Sequence, residues 1–524
     1  MNLASSLVAV LILGASPQQK ADQPAPTVGS KTAAKTDPKN AQKPAAKDDT
    51  AKAAQATTPK KSSRPAAPPE TFEKGLGAYY GADYVGAAAL MYDYLATNEN
   101  TVENYEWAEY FLGTTLAKMG FFHAGAEYLF NVAKNRTRPE ILPDALSELE
   151  KLYDIAHDED LIDAQLLTDS EFGYLPPAQS DFVSYVQGLQ DLRAGRTEWA
   201  ERNFRRIRDD SPYAPKAIYA LGVQRLDHNN EPDAVLYFRK ALDHPGARRE
   251  LRNEARLALA RILYEQERYK SARKIYDSVE VPELSTAEAS LYLEKAWTSY
   301  WVRDFRKTMG ILYALEAPSY KSYFAPEVFL LRALVYKNLC HYIPAKREIR
   351  RFRLRFGRTL ENIRNRIDLR EDDVLRSAAL QRGRVKRIAD FRRTVGKEAD
   401  QIDNIGGRWT EVGLDEQLRE IYGLKTKSVD LKLSAMLEGE TRKVAEDLVD
   451  FEEQMYLLDY EIGLSIYRRL QKEEARRPTE ADNLKIPFGG DREYYAFVEE
   501  FWNDELPTYD FFVENRCFDE GVKD

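Results

Sequence analysis

Cysteine is nearly absent from this sequence, with Cys340 and Cys517 the only two in 524 residues. Two thiols cannot hold a disulfide scaffold together, and they lack the clustered partners of a zinc site. In an oxidising compartment they could pair and pin the C-terminal segment onto the body; the alternative reading is two buried thiols. Histidine is scarce too. His123, His157, His228, His244 and His341 are dispersed, with no His-Glu-x-x-His or other ligand spacing, so neither a metal nor a cofactor is expected. The Gly-x-Ser-x-Gly elbow and the phosphate loop are missing. The glycines of GLGAYYG suit a close helix contact rather than a dinucleotide fold. Adjacent acids such as Glu499 and Glu500, or Asp504 and Glu505, cannot face one cleft as a glycosidase pair must. No catalytic residue is expected.

A large charge of one sign is lacking as well. The net charge of -9 is small for this length, which argues against nucleic acid as a partner. What is present is 43% hydrophobic residues, with 31 Tyr and 22 Phe, enough to bury a substantial core.

One apolar run, Leu7 to Ala15 (LVAVLILGA), has the length of a signal-peptide core and is too short to span a bilayer. Export with cleavage near Ala15 is expected, placing the signal at 1–15 and the protein in the periplasm or outer envelope. The stretch before it carries no Lys or Arg, and a cytoplasmic regulator is the reading if the run is not an export signal. No nearby Cys offers a site for lipid attachment. Residues 16–69 are mostly Ala, Lys, Pro, Thr, Gln and Asp without an aromatic, the composition of a solvated spacer. Its lysines could touch anionic lipid or cell wall.

From Glu70 a frame of small and large residues recurs. Its clearest copy places Gly188, Gly195, Ala200, Phe204, Ile207 and Pro212 in order. The next has Leu221, Gly222, Ala234, Phe238 and Ala241, with Gly222 lying 34 residues after Gly188. Later copies centre on Ala260, Tyr269, Ala272 and Tyr276; on Ala296, Phe305, Thr308 and Leu312; and on Ala333, Tyr342, Ala345 and Ile349. Earlier ones hold Gly75, Tyr84, Ala87 and Met91, then Leu112, Gly113, Gly120, Phe122, Gly125 and Leu129. A degenerate unit around Tyr153 and Ile162 would make eight. Two antiparallel helices approach closely only where side chains are small, and a large residue one turn on fills the gap to the next hairpin.

This frame resembles the tetratricopeptide repeat (TPR) family. The resemblance implies an all-α fold, a right-handed solenoid of helical hairpins over 70–357 that binds proteins. It further implies that the first helix of each hairpin lines a concave groove. Carried onto this chain, the groove positions are Tyr185, Leu192, Tyr219, Leu226, Arg261, Tyr264, Trp297, Tyr300 and Lys337. Large aromatic and Arg side chains suit peptide capture, and equally suit packing between helices.

Residues 358–480 read as long charged helices, able to pack back on the array or to form a coiled coil. Basic residues dominate Lys346 to Lys397, a solvated face or a site for acidic protein, lipid or the chain's own acidic C-terminal part. Residues 481–524 are rich in aromatics and acids, as in a cap or docking segment. The run FWNDEL followed by aromatics and a Cys resembles repeat proteins of myxobacterial envelopes, including periplasmic components of gliding-motility machinery. The function expected is a non-enzymatic scaffold that binds envelope proteins through its groove and C-terminal helices. The alternative is a cell-wall hydrolase or its accessory subunit, which a compact catalytic lobe after Gly357 would favour.

Overall fold

A computed structural model describes residues 59–62, 64–135, 138–156, 175–473 and 501–517. The signal at 1–15, the spacer through residue 58, Ile162, and residues 481–500 and 518–524 of the C-terminal segment lie outside them. The described residues form nineteen α-helices and no strand, so the fold is all-α. The chain divides into two compact units, one made of Arg225–Lys386 and Ser434–Asp524, the other reaching to Gln224 and taking in Arg387–Leu433.

The helices fall into consecutive pairs, in the repeat-like order the small-residue frame predicts. They are α1 (Pro69–Tyr80) and α2 (Tyr84–Thr97); α3 (Tyr105–Lys118) and α4 (Phe122–Asn135); then α5 (Leu142–Ala156), which stands alone among the described residues. There follow α6 (Pro177–Arg193) and α7 (Thr197–Phe204), α8 (Ala214–Asp227) and α9 (Glu231–Asp243), α10 (Arg249–Glu265) and α11 (Tyr269–Tyr276), α12 (Thr286–Trp301) and α13 (Phe305–Ala314), and α14 (Glu327–Asn338) and α15 (Tyr342–Arg364). The remainder is α16 (Asp373–Gln381), α17 (Gly383–Gln401), α18 (Gly407–Val412) and the long α19 (Leu414–Glu473).

One backbone turn joins every pair. Two positions before the second helix a residue adopts the left-handed region: Ala82, Gly120, Gly195, Asn229, Glu267, Arg303 and Cys340, with φ between 56° and 89°. The next residue donates its backbone N–H to a carbonyl five residues back, as in Asp83 to Ala78 (2.9 Å), Arg196 to Asp191 (2.7 Å), Asp304 to Ser299 (2.9 Å) and His341 to Tyr336 (2.8 Å). This is the Schellman closure, which satisfies carbonyls at a helix end and reverses the chain. Three of the residues that follow the left-handed one, Asp83, Asn230 and Asp304, also cap the next helix through their side chains, occupying donors that the helix start leaves free.

Small residues then fall in register. The fourth residue of each second helix is Ala87, Gly125, Ala200, Ala234, Ala272, Thr308 or Ala345, and all are buried. Four positions later come Met91, Leu129, Phe204, Phe238, Tyr276, Leu312 and Ile349, also buried. Gly188 of α6 shows why the facing position is small: a Cβ there would sit 2.3 Å from the Phe204 ring.

Chain outside the hairpins packs against them within each unit. In one unit Trp409 of α18 donates its indole N–H to Val85 O (3.0 Å) and joins Phe121, Leu418 and Tyr422 in a core. The end of the predicted spacer lies here too, so the solvated stretch stops short of residue 69. Ser62 N donates to Ala96 O (2.9 Å), and Lys60 pairs with Glu416 and Glu420. In the other unit α19 buries Val444, Leu448, Phe451, Met455, Leu458 and Ile462 at alternating spacings of four and three against α15 and α16. The apolar seam that suggested a coiled coil is used here within the chain.

Glu109 of α3 is buried, and its Oε2 has no hydrogen-bond partner. Burial pushes its pKa up to about 8, with Glu106 adding to the rise. The folded state therefore binds this proton more tightly than the unfolded chain does. Its contribution is complete below the ordinary carboxylate range and is lost as pH rises through about 8. Glu109→Gln is expected to raise the melting temperature at pH 8.5 by several degrees, about 2 kcal/mol, and to change little at pH 4. Equal effects at both pH values in thermal scans would count against an uncharged Glu109. A second expectation concerns the turn. Glu267 is an exposed non-glycine residue at φ 58°, so Glu267→Gly should stabilise by about 0.5–1 kcal/mol in denaturant titrations, and Glu267→Val should destabilise.

Candidate interaction surface

None of the nine groove positions is exposed. Tyr185 and Tyr219 are buried; the Tyr185 ring packs 5.0 Å from that of Tyr213. Leu192 and Leu226 are half-buried near the ends of α6 and α8. Arg261 is buried in a two-bond pair with Glu294 of α12, its Nη2 donating to Oε1 (2.6 Å) and its Nε to Oε2 (2.9 Å). The Trp297 indole N–H donates to Glu327 Oε2 of α14 (2.8 Å), and the surroundings push that carboxyl up to about 7, burial being the main cause. Tyr264 OH accepts from the Trp301 indole (2.9 Å), and Tyr300 OH accepts from Asn338 (2.8 Å). Lys337 pairs with Glu461 of α19. The structure brings Arg261, Tyr264, Trp297 and Tyr300 together as bonds between successive first helices. Their polar tips are satisfied from within.

Several basic residues of α15, and Arg382 after α16, also meet acids of this chain. Arg353 and Lys346 reach Asp459 at 3.0 and 3.3 Å. Arg364 pairs with Glu452, and Arg382, just beyond α16, pairs with Asp447 and Glu440. Facing α19 is therefore the acidic partner nearest to hand.

A different surface is occupied by extended chain. Residues 501–517 form a strap along α13 that ends at the turn between α14 and α15. Leu506 is buried, and beyond it inward Tyr509, Phe511 and Val513 alternate with outward Asp510, Phe512 and Glu514, the two-residue period of extended backbone. Phe511 N donates to Arg306 O (3.2 Å), Lys307 Nζ to Pro507 O (2.9 Å), and Arg516 N to Leu339 O (3.1 Å). His341 Nε2 lies 2.6 Å from Glu514 O, and Arg306 pairs with Asp510 at 3.1 Å. The Phe511 ring packs 4.5 Å from that of Tyr313. Lys307 sits under the strap, and burial lowers its pKa against the pull of Asp510. Gly310 makes the seat: a Cβ there would lie 1.9 Å from the Tyr509 carbonyl oxygen.

Arg332 braces this seat from below. It is wholly buried, donates to Glu316 (2.6 Å), Glu348 (3.3 Å) and Leu312 O (3.1 Å), and places its guanidinium 5.0 Å from the centre of the Tyr313 ring. Tyr313 thus lies between a fixed cation and Phe511. A covalent bond closes the far end, where Cys340 and Cys517 form a disulfide across 177 positions of sequence.

A scan against protein-family models finds no match. A search of curated proteins finds none either. Among the described residues no group of three or more His, Cys, Asp or Glu is arranged to hold a metal ion, and no helix is long and apolar enough to cross a membrane. Asp504 and Glu505 lie exposed in the strap's first turn; Glu499 and Glu500 are outside the described residues.

The Arg261–Glu294 pair separates a packing role from a binding one. Glu294→Ala should cost about 3–5 kcal/mol, because it leaves a buried guanidinium unpaired, whereas Arg261→Met with Glu294→Leu should cost much less. Chemical denaturation of the two variants checks this, and equal losses would contradict it.

Proposed function

We propose that this chain is a non-enzymatic scaffold of the cell envelope, built on a right-handed TPR-like solenoid, that holds extended segments of other proteins. The observation that carries the reading is the strap: hairpin helices of this chain already seat an extended segment, through main-chain bonds along its length and side-chain pockets at alternate positions. That is how grooves take peptides, with the backbone supplying affinity and alternate side chains supplying selectivity. Two further features support it. The described residues after Gly357 are helices and the strap, the arrangement expected of a scaffold rather than of a hydrolase. A disulfide persists in oxidising compartments, which agrees with the apolar run at Leu7 to Ala15 acting as an export signal. A periplasmic or outer-envelope site, with gliding-motility machinery as one setting, follows from the same reading. The likeness to TPR proteins rests on the recurring frame of small and large residues, and the repeated left-handed turn adds to it.

The test is crosslinking in cells, affinity purification of the tagged full chain, and mass spectrometry of what is recovered, alongside envelope fractionation. Defined envelope proteins in stoichiometric yield are expected. Wall fragments without a protein partner would sink the scaffold and favour the hydrolase or its accessory subunit. Recovery from the cytoplasmic fraction alone would remove the envelope from the reading.

A further inference from the structure

The strap behaves as a ligand that the chain supplies to itself. Its contacts are those of a bound peptide: two backbone N–H groups donating to carbonyls of the seat, a lysine and a histidine each on a strap carbonyl, an arginine on a strap carboxylate, and one ring in an aromatic pocket. The seat is shaped to the main chain, since Gly310 leaves room for the Tyr509 carbonyl and nothing larger than hydrogen fits between them. Glycine within a helix costs about 1 kcal/mol relative to alanine. A helix gains nothing from it here except the strap's approach.

We infer that the surface formed by Arg306, Lys307, Gly310, Tyr313, Leu339 and His341 is a docking site for an extended aromatic–acidic–aromatic segment of a partner protein, closed in this state by the chain's own Tyr509-Asp510-Phe511. The Cys340–Cys517 bond is the latch. The inference rests on the scaffold reading and deepens it by naming the partner's chemistry and the control of the site. Lys307 and Arg306 ask for an acid between two aromatics. Tyr313, fixed by Arg332, asks for a ring at the position Phe511 fills.

Opening requires a reductant, a protein dithiol of the thiol–disulfide exchange class. One thiolate of that dithiol attacks a sulfur of the Cys340–Cys517 bond and expels the other as thiolate. Its second thiolate then attacks the mixed disulfide. The dithiol ends as a disulfide, both cysteines end as thiols, and two electrons have passed to the strap's latch. The strap stays attached through the main chain, so its local concentration remains in the millimolar range. A partner must therefore outcompete a weakened internal ligand, and the latch sets which of the two holds the seat.

The full-length chain tests this with a fluorescein-labelled peptide of residues 503–516 as the probe. Oxidised wild type should not change the probe's anisotropy. The double variant Cys517→Ser with Phe511→Ala, in which latch and anchor are both removed, should bind it at least tenfold more tightly than oxidised wild type. Adding Gly310→Ala should abolish that binding while leaving the helical circular dichroism unchanged, because alanine suits the helix and only blocks the seat. Hydrogen exchange supplies a second reading on wild type alone, where reduction should speed exchange at the amides of Phe511 and Arg516 at least tenfold. Unchanged exchange on reduction overturns the latch. Fast exchange without capture of the probe overturns the docking site. If the probe is not captured but envelope proteins still come with the crosslinked chain, this inference fails and the scaffold reading stands; if no protein partner is recovered either, both fail.

Discussion

A helical hairpin can close only if the chain reverses within a few residues while the last carbonyls of its first helix stay bonded. Here one solution is used throughout, a single left-handed residue followed by an N–H that reaches five residues back. Everything else is registered from that point. The small residue that lets the helices touch comes five positions after the left-handed one, and the large residue that fills the next gap comes four after that. Even the interval from Gly120 to Gly195, twice the usual spacing, keeps the register, with α5 standing inside it. The turn tolerates Ala, Asn, Glu, Arg and Cys at its strained position, so its cost, about 1–2 kcal/mol for a residue with a side chain, is carried by the contacts it aligns.

The buried charges show how the hairpins are tied to one another. Arg261 with Glu294, Trp297 with Glu327, and Arg332 with Glu348 each cross from one helix to another, and Arg332 also reaches Glu316 in the turn after α13. A polar group placed so needs its partner, since an unpaired one costs more than the pair contributes. Such bonds fix the relative setting of neighbouring helices more narrowly than apolar contact does. Arg332 extends this to the surface, because the ring it supports is the one that meets Phe511.

Much of this was legible in the sequence, and the reasons for the remainder are physical. The all-α class and the frame of small and large residues are local properties, set within one helix or between two consecutive ones. Ala200, Ala234, Ala272 and Ala345 announce themselves by spacing alone. The left-handed turn was hidden because only Gly120 and Gly195 among its seven positions are glycine. Groove positions such as Trp297 and Tyr300 were ambiguous, since a large side chain with a polar tip serves packing and capture equally, and the choice depends on Glu327 and Asn338, which lie in the next hairpin. The acids facing the basic α15 are about 90 to 110 positions away in sequence, beyond any local pattern. The alternation in Tyr509 to Glu514 was visible, but nothing local says that a strand-like segment will lie on helices rather than in a sheet.

The disulfide also alters how the chain carries load. Tension entering along the backbone at Cys517 would pass directly to Cys340 and so into the hairpin turn, leaving the chain between them slack. That detour takes in α15 to α19 and the strap itself. A chain of this length, drawn straight, would add on the order of 600 Å. With the bond closed that extension is withheld, and a pull is met by the hairpins alone; with it open, the same pull can first unravel the seam on α19. The bond therefore sets a mechanical compliance as well as a fold.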